Sequence, residues 1–191
     1  MSAIYYKSEQ LELIVLVSFN YGSKDGRVHL KNIKFFKNLE EVTSYLDENK
    51  LELIENRDFN NFDSIEDLIK ILTDYFSGKS INLIEEINSL NIEIDFNKKF
   101  TTKFSQSVIR TVMQLKRGEI TTYSEIADKI GSKAYRAIGN VLRNNPLPLI
   151  IPCHRVVKKS GNIGGFMGKT NKEWEQNLKR NLLQLEGVTR V

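Results

Sequence analysis

The charge of this 191-residue chain changes sign near its midpoint, and this split bears on how the chain divides into domains. Residues 1–100 carry 12 basic and 18 acidic side chains, whereas residues 101–191 carry 16 basic and 6 acidic ones. A chain of this length can hold one large or two small domains, and opposite charges in its halves favour two. The basic half favours an anionic partner, usually nucleic acid, over basic residues scattered on a solvated surface.

The composition, 40% hydrophobic and 27% charged, is typical of a soluble globular protein. The longest apolar runs, 13–17 and 147–151, are too short to span a bilayer, and the N-terminus does not resemble a secretory signal. Cys153 is the only cysteine, so no internal disulfide can form and too few soft ligands remain for a structural zinc site. We therefore expect a cytoplasmic protein without a bound metal.

The first half has the patterns of both strands and helices. Segments 11–20 and 27–36 alternate and flank a glycine-containing turn, which predicts a β-hairpin. Segments 39–46 and 65–76 have helical spacing, with Ser64 as the N-cap of the second. Residues 81–95 are ambiguous between helix and strand. These patterns predict an α+β domain.

A polar break at 97–99 predicts a boundary between domains 1–98 and 99–191. Beyond it, Phe104, Val108, Val112 and Leu115 recur at helical spacing, and Gly118 is expected to end this helix.

Two further short helices are predicted on either side of Gly131. Thr122 and Glu125 form a capping-box pattern that opens a helix over 124–130, and a second helix follows over 133–143. A helix, a glycine turn and a helix are typical of a helix-turn-helix, although an ordinary helical hairpin has the same pattern.

The segment Pro-Cys-His-Arg-Val-Val at 152–157 is the strongest candidate for a reactive site. Basic and cationic neighbours favour the thiolate, which is the nucleophilic form of cysteine. Taken alone, Cys153 beside His154 fits a nucleophile and a small buried side chain equally well.

Four segments resemble the O6-alkylguanine-DNA alkyltransferase family. Residues 145–157 are similar to its cysteine signature, and 118–127, 135–139 and 179–187 are similar to its tyrosine, recognition-helix and C-terminal segments. The resemblance covers roughly 100–188. It implies a ribonuclease-H-like α+β N-terminal domain and a mostly helical, winged-helix-like C-terminal domain with a helix-turn-helix.

The resemblance also implies the catalytic residues. Cys153 would accept the alkyl group, and His154 would activate it through a bridging water while Glu186 holds the imidazole. Tyr123 would give a proton to the departing guanine, and Asn145 would hold the turn before the reactive segment.

The same family likeness implies that double-stranded DNA containing alkylated guanine is the partner. Arg136 would enter the duplex through the minor groove and replace the flipped base, and Tyr135 would press on a phosphate. The other expected DNA-binding residues are Lys133, Ala137, Gly139 and Arg143.

The base pocket implied by the resemblance consists of Val156, Gly165, Phe166 and Met167. Phe166 stands where many relatives have tyrosine, and Met167 replaces a small residue, which predicts a narrower pocket. Arg155 is expected to be a structural cation.

The implied reaction is a single, irreversible transfer by a monomer, without cofactor or metal, with O4-alkylthymine as a further possible substrate. The competing interpretations are a non-enzymatic DNA-binding protein and a cysteine hydrolase.

Overall fold

The computed structural model describes residues 1–22, 25–54, 63–94, 96–168 and 173–190. The chain divides into two compact units, Met1–Asp95 and Phe96–Val191. Within the described ranges, no helix combines the length and apolar character needed to cross a membrane.

The N-terminal unit contains a five-stranded sheet flanked by helices, which confirms the predicted α+β class. The predicted hairpin is also confirmed, because its two strands pair antiparallel with Ile14 opposite Phe36 and Tyr21 opposite Val28. The sheet order is β4-β1-β2-β3-β5, with the outer two strands parallel to their neighbours. The strands are β1 (Ser2–Ser8), β2 (Leu13–Tyr21), β3 (Val28–Phe36), β4 (Glu52–Leu53) and β5 (Ile92–Glu93).

Helices cover both faces of this sheet. Val42 and Leu46 of α1 (Leu39–Asn49) pack in a cluster that includes Tyr5 of β1. Phe76 of α2 (Asp63–Phe76) stacks on Tyr6, the next residue of β1. Because adjacent strand residues point to opposite faces, the two helices lie on opposite sides. The central strand is therefore buried continuously from residue 13 to 19.

The structure differs from the prediction for the N-terminal half in one detail and decides a second one that the sequence left open. Ser64 lies inside the first turn of α2, which already includes Asp63, so the expected N-cap was wrong. The ambiguous region contains a short helix, α3 (Leu83–Asn88), before β5, and the Asn82 side chain caps it by accepting from the Ile84 N–H.

The C-terminal unit is mostly helical. A short helix at residues 96–99 replaces the polar break expected there. The next helix ends at Met113, so the prediction that it runs to Gly118 was wrong: the Leu115 N–H bonds to the Val112 carbonyl and tightens the chain into a turn. The helices are α4 (Phe96–Lys99), α5 (Lys103–Met113), α6 (Tyr123–Lys129), α7 (Tyr135–Arg143) and α8 (Glu173–Leu185); strands β6 (Thr121–Thr122) and β7 (Val156–Val157) pair in parallel.

The capping box that opens α6 is confirmed. The Thr122 hydroxyl accepts from the Glu125 N–H at 3.2 Å, and the Glu125 carboxylate accepts from the Thr122 N–H at 2.8 Å. Gly131 adopts a left-handed conformation (φ 65°), which ends α6 and turns the chain toward α7. The second helix begins at Tyr135 rather than at Lys133. The two helices pack against each other through a shared buried core.

Candidate active site

A pocket of about 620 Å³ lies in the C-terminal unit. Its walls come from α6, α7, the segment around Cys153 and the glycine-rich loop at residues 160–168. Among the residues singled out from the sequence, the lining includes Tyr123, Tyr135, Arg136, Gly139, Arg143, Cys153, Gly165, Phe166 and Met167. The lining does not include Lys133, Ala137, Asn145, His154, Val156 or Glu186.

Cys153 opens a single 3₁₀ turn, Cys153–Arg155, and is buried. The Asn145 side-chain amide fixes the approach to this turn by donating to the Ile151 carbonyl at 2.8 Å. The same nitrogen lies 3.1 Å from the Cys153 sulfur. The Asn145 side-chain oxygen accepts from the Leu147 N–H at 3.0 Å. The Asn145 side chain thus holds the turn before the reactive segment and also donates to the Cys153 sulfur.

Burial raises the pKa of the Cys153 thiol, and the Asn145 hydrogen bond and the charge of Lys179 oppose this rise. Since only the thiolate is strongly nucleophilic, a buried thiol of this kind needs a group that can take its proton.

His154 and Glu186 form a buried pair beside this thiol. The His154 side chain is fully buried, and its Nε2 lies 3.0 Å from Glu186 Oε1. Arg155 donates two hydrogen bonds of 2.8 Å to the same carboxylate, from Nε to Oε2 and from Nη2 to Oε1. A third bond, from Arg155 Nη1 to the Leu115 carbonyl, anchors the guanidinium. Arg155 therefore forms a two-point ion pair with the Glu186 carboxylate.

These contacts set the protonation of the pair. Burial would raise the pKa of Glu186, but bonds and charges from His154 and Arg155 outweigh it and lower the pKa well below 4.5. Burial lowers the pKa of His154 despite the neighbouring carboxylate. The neutral imidazole therefore donates from Nε2 to the carboxylate, which leaves Nδ1 as an acceptor. Nδ1 has no hydrogen-bond partner among the residues that the structure describes.

The end of α8 holds Glu186 in place. Gly187 adopts a left-handed conformation (φ 88°), and its N–H bonds to the Gln184 carbonyl at 2.9 Å. The Val188 N–H bonds to the Leu183 carbonyl at 2.9 Å, which completes a Schellman motif. Glu186 is thus the last residue before a fixed turn, and its side chain points inward.

Tyr123 is the first residue of α6 and lines the pocket with Cys153. Gly139 of α7 faces the Tyr123 ring, and a methyl group at Gly139 would lie 3.9 Å from the ring, at ordinary van der Waals distance. Burial, and then the charge of Cys153, raise the pKa of the Tyr123 hydroxyl. The hydroxyl therefore stays protonated at neutral pH and can act as a proton donor.

The start of α7 faces solvent at the pocket mouth. Tyr135 is 47% exposed, and Arg136 and Arg143 are exposed as well, while Lys133 is exposed just before the helix. Ala137 is half-buried. This edge of the pocket is open and basic.

The glycine-rich loop forms the opposite wall. Phe166 is buried and Met167 is half-buried with a left-handed backbone (φ 50°), which is unusual for a side chain of this type. Val156 is fully buried behind the pocket, and its carbonyl accepts a bond from Lys179.

Sequence reasoning missed Lys179, which is fully buried on α8. A signal was available: Lys179 and Glu186 fall on the same helical stripe as Leu178, Leu182 and Leu183, all of which are buried. Charged residues at core positions of an amphipathic helix indicate a paired or functional role.

Comparisons with known proteins show which family this chain resembles. The family model for the DNA-binding domain of 6-O-methylguanine DNA methyltransferase matches residues 103–188. A methylated-DNA–protein-cysteine methyltransferase of Saccharolobus islandicus is 44% identical over 114 residues, which are 60% of this chain and 64% of that protein. The match thus spans less than two thirds of the relative's length.

Solved structures extend the likeness across both units. An OGT of Mycobacterium tuberculosis, solved in complex with DNA, has a TM-score of 0.63 and 25% identity, over 97% of this chain and 92% of that one. An O6-methylguanine-DNA methyltransferase of Pyrococcus kodakaraensis shares the fold with a TM-score of 0.57 and 23% identity, over 97% and 99% of the two chains.

Residues 103–188 of the C-terminal unit are therefore similar to the DNA-binding domain of this class of methyltransferase. Through residues 103–188, the chain is similar to the 6-O-methylguanine DNA methyltransferase family, in agreement with the resemblance found in its cysteine motif.

Proposed function

We propose that this protein repairs DNA by moving the alkyl group of O6-alkylguanine irreversibly onto Cys153. The observation that carries the proposal is one pocket whose walls bear the only thiol of the chain, a protonated tyrosine and an exposed arginine. The match of residues 103–188 to the family model and the names of the relatives support the same activity.

The proposed transfer exchanges the thiol proton for an alkyl group. Nδ1 of His154 takes the Cys153 proton through a water, and Glu186 holds the imidazole that becomes positively charged. The sulfur attacks the alkyl carbon, so an S–C bond forms as the C–O6 bond breaks. The electron pair goes to the guanine, which takes a proton from the Tyr123 hydroxyl. Tyr123 and His154 return to neutrality by exchange with solvent, and the products are a thioether and unmodified guanine.

A buried sulfur can reach a base only if the base leaves the duplex. We propose that α6 and α7 act as a helix-turn-helix in the minor groove, with Arg136 filling the gap left by the flipped base. Exposure of Arg136 and Tyr135 at the pocket mouth supports this role. Lys133 and Arg143 supply further positive charge for phosphates, and Ala137 and Gly139 allow close approach.

The remaining parts of the proposal concern the setting of this reaction. We assign a ribonuclease-H-like scaffold to the N-terminal unit and a winged-helix-like character to the C-terminal unit. The protein acts in the cytoplasm as a monomer on double-stranded DNA, needs no metal, and also accepts O4-alkylthymine.

The reaction stoichiometry tests this proposal. With O6-methylguanine duplex in tenfold or larger excess over protein, methyl loss from the DNA should stop at one lesion per chain. Continued turnover would indicate a hydrolase, and no loss in spite of DNA binding would indicate a non-enzymatic DNA-binding protein. Either result would overturn the proposal.

Substitution of Arg136 by alanine should separate the base-flipping step from the alkyl-transfer step. We expect repair of duplex DNA to slow by about a hundredfold, because an empty gap in the stack costs a few kcal/mol. Reaction with free O6-benzylguanine, which needs no flipping, should stay within about twofold, since Arg136 takes no part in the chemistry.

Arg180 offers a matched control for this experiment. It lies in the same unit, and its guanidinium bonds to Asn177 rather than lining the pocket. Arg180→Ala should leave both reactions unchanged. Equal losses on both substrates in Arg136→Ala would contradict the role of Arg136 in base flipping.

A further inference from the structure

The turn at residues 115–118 lies between α5 and β6, and none of its residues lines the pocket. The Lys116 N–H donates to the Glu119 carboxylate at 2.9 Å, and the Glu119 N–H donates to the Lys116 carbonyl at 3.1 Å. Gly118 adopts a left-handed conformation (φ 79°) within the turn. These bonds fix the turn, so its contacts with other segments have a defined geometry.

The turn lies against the ion cluster of Glu186, His154 and Arg155. The Leu115 carbonyl accepts from Arg155 Nη1 at 2.6 Å, and Arg155 bonds in turn to the Glu186 carboxylate. A methyl group at Gly118 would lie 3.0 Å from the Glu186 carbonyl oxygen, closer than ordinary van der Waals contact. The turn therefore contacts both a side-chain partner of Glu186 and its main chain.

Arg117 adds a third contact, at the end of α8. Its side chain is half-buried, and its Nη2 donates to the Leu185 carbonyl at 2.6 Å. The carbonyls at residues 182–184 accept from main-chain N–H groups of the helix end, whereas the Leu185 carbonyl, directly before Glu186, accepts from this guanidinium. A cation is favoured there, because carbonyl groups at a helix C-terminus carry partial negative charge.

We propose that Arg117 is a positioning residue of the alkyl-transfer site, which holds the C-terminal end of α8 and so keeps the Glu186 carboxylate in place against the His154 imidazole. The proposal rests on the proposed function and deepens it, because the position of the imidazole matters for alkyl transfer only if His154 takes the proton of Cys153. Two guanidiniums then fix Glu186, since Arg155 holds its carboxylate and Arg117 holds the main chain that carries it.

The bond between His154 and Glu186 is sensitive to the position of this main chain. Nε2 and Oε1 lie 3.0 Å apart in a pair whose side chains are fully buried. A separation of about 3.6 Å is no longer a hydrogen bond, so a shift of about 0.6 Å at Glu186 would break it. The imidazole would then lose the contact that sets which of its nitrogens carries the proton.

The charged and titratable groups around the imidazole stay the same when Arg117 alone is changed. Glu186 bonds to the imidazole, and the charges of Arg155 and Lys179 act on it. Tyr123 of α6 and the Cys153 sulfur share the pocket and interact with each other.

The test is the pH profile of Cys153 alkylation by iodoacetamide, a neutral reagent that forms the S–C bond and releases iodide. Arg117→Met keeps the apolar stem of the side chain but has neither its charge nor its N–H groups. At pH 7 this variant should react about tenfold more slowly, since misplacement of a catalytic group by about 1 Å costs up to about a hundredfold. The difference should shrink toward about pH 10, where hydroxide removes the thiol proton without His154.

Two further variants complete this experiment. Arg117→Lys keeps a charge and N–H donors and should recover most of the rate at pH 7. Lys116→Met, the same kind of charge loss at an exposed position of the same turn, should match the wild type. A methionine variant as fast as the wild type, or slower by the same factor at every pH, would overturn the proposal. So would a lysine variant, or a Lys116 variant, as slow as Arg117→Met.

NMR of the imidazole gives a second readout that a merely structural role would not move. The chain has only two histidines, so the signals of His154 can be told from those of His29, which bonds to Asp25 in the N-terminal unit. In the wild type the buried Nε2–H proton of His154 should exchange slowly with solvent. In Arg117→Met its exchange should be at least about tenfold faster, while the His29 signals stay unchanged. Unchanged exchange at His154 would contradict the proposal.

If the methionine protein does not fold, Arg117→Gln takes its place in both measurements, with the same expected results. Its side chain stops short of the Leu185 carbonyl but keeps a polar end at the half-buried position. Neither measurement uses DNA. A wild type that takes no methyl group from O6-methylguanine would fail the proposed function, whereas a variant without the Arg117 contact that reacts like the wild type would fail this inference alone.

Discussion

Glu186→Gln should lower the free energy of unfolding by about 3–5 kcal/mol, the range found when one partner of a buried ion pair is removed. The Glu186 side chain is fully buried and accepts three bonds, one from His154 and two from Arg155. Glutamine has the same shape but no charge, so the Arg155 guanidinium would remain buried without its counter-charge. Chemical denaturation at neutral pH measures the loss.

Glu173→Gln is the matched control, because Glu173 lies on the same helix but is exposed. Its loss should stay within about 0.5 kcal/mol. A Glu186 variant as stable as this control would contradict the assignment of a buried ion cluster to the site.

The pH dependence of this stability has a definite sign. The folded pKa of Glu186 lies below its ordinary value of 4.5, so its contribution is fully present above pH 4.5 and is lost as the pH falls toward the folded pKa. The difference between the wild type and Glu186→Gln should therefore be largest above about pH 4.5 and shrink progressively as the pH falls from there toward the folded pKa. A constant difference across this range would show that the carboxylate charge does not matter.

Cys153→Ser should abolish alkyl transfer while leaving the affinity for duplex DNA within about twofold. Serine fits the same space, but its hydroxyl is a far weaker nucleophile at neutral pH than a thiol that His154 can deprotonate. Since Cys153 is the only cysteine, no second thiol can take its place. Methyl loss from O6-methylguanine duplex and DNA affinity should be measured on the same preparation.

The serine variant also separates the competing interpretations of the site. Transfer that persists in Cys153→Ser would mean that another residue is the acceptor. Loss of DNA affinity together with transfer would mean that Cys153 has a structural rather than a chemical role. His29→Gln, in the N-terminal unit, is a control that should change neither measurement.

Local signals predicted much of the fold. The β2–β3 hairpin and the Thr122–Glu125 capping box are encoded within short stretches, and the structure confirms both. Strand β1 was not predicted, because its buried residues acquire their partners from β2 rather than from a pattern of their own. The end of α5 was placed too late, because apolar Leu115 continues the helical spacing beyond the last helical turn.

In the candidate site, too, the local motifs could be predicted from the sequence and the long-range contacts could not. The Pro-Cys-His-Arg motif located the reactive segment, and the family resemblance pointed to Tyr123 and Arg136, which line the pocket with Cys153. The partners of Arg155 and Lys179 could not be read from the sequence, because both contacts join segments that are distant in the chain: Glu186 lies 31 residues beyond Arg155, and Lys179 lies 23 beyond Val156.

The most direct test of the account is the intact mass of the protein after incubation with O6-methylguanine duplex, followed by peptide mapping. The account predicts that each chain gains one methyl in place of one hydrogen, that the added mass is found on the peptide containing Cys153, and that longer incubation adds nothing more. An unchanged mass in a protein that still binds the duplex, or a methyl group on any other residue, would contradict it.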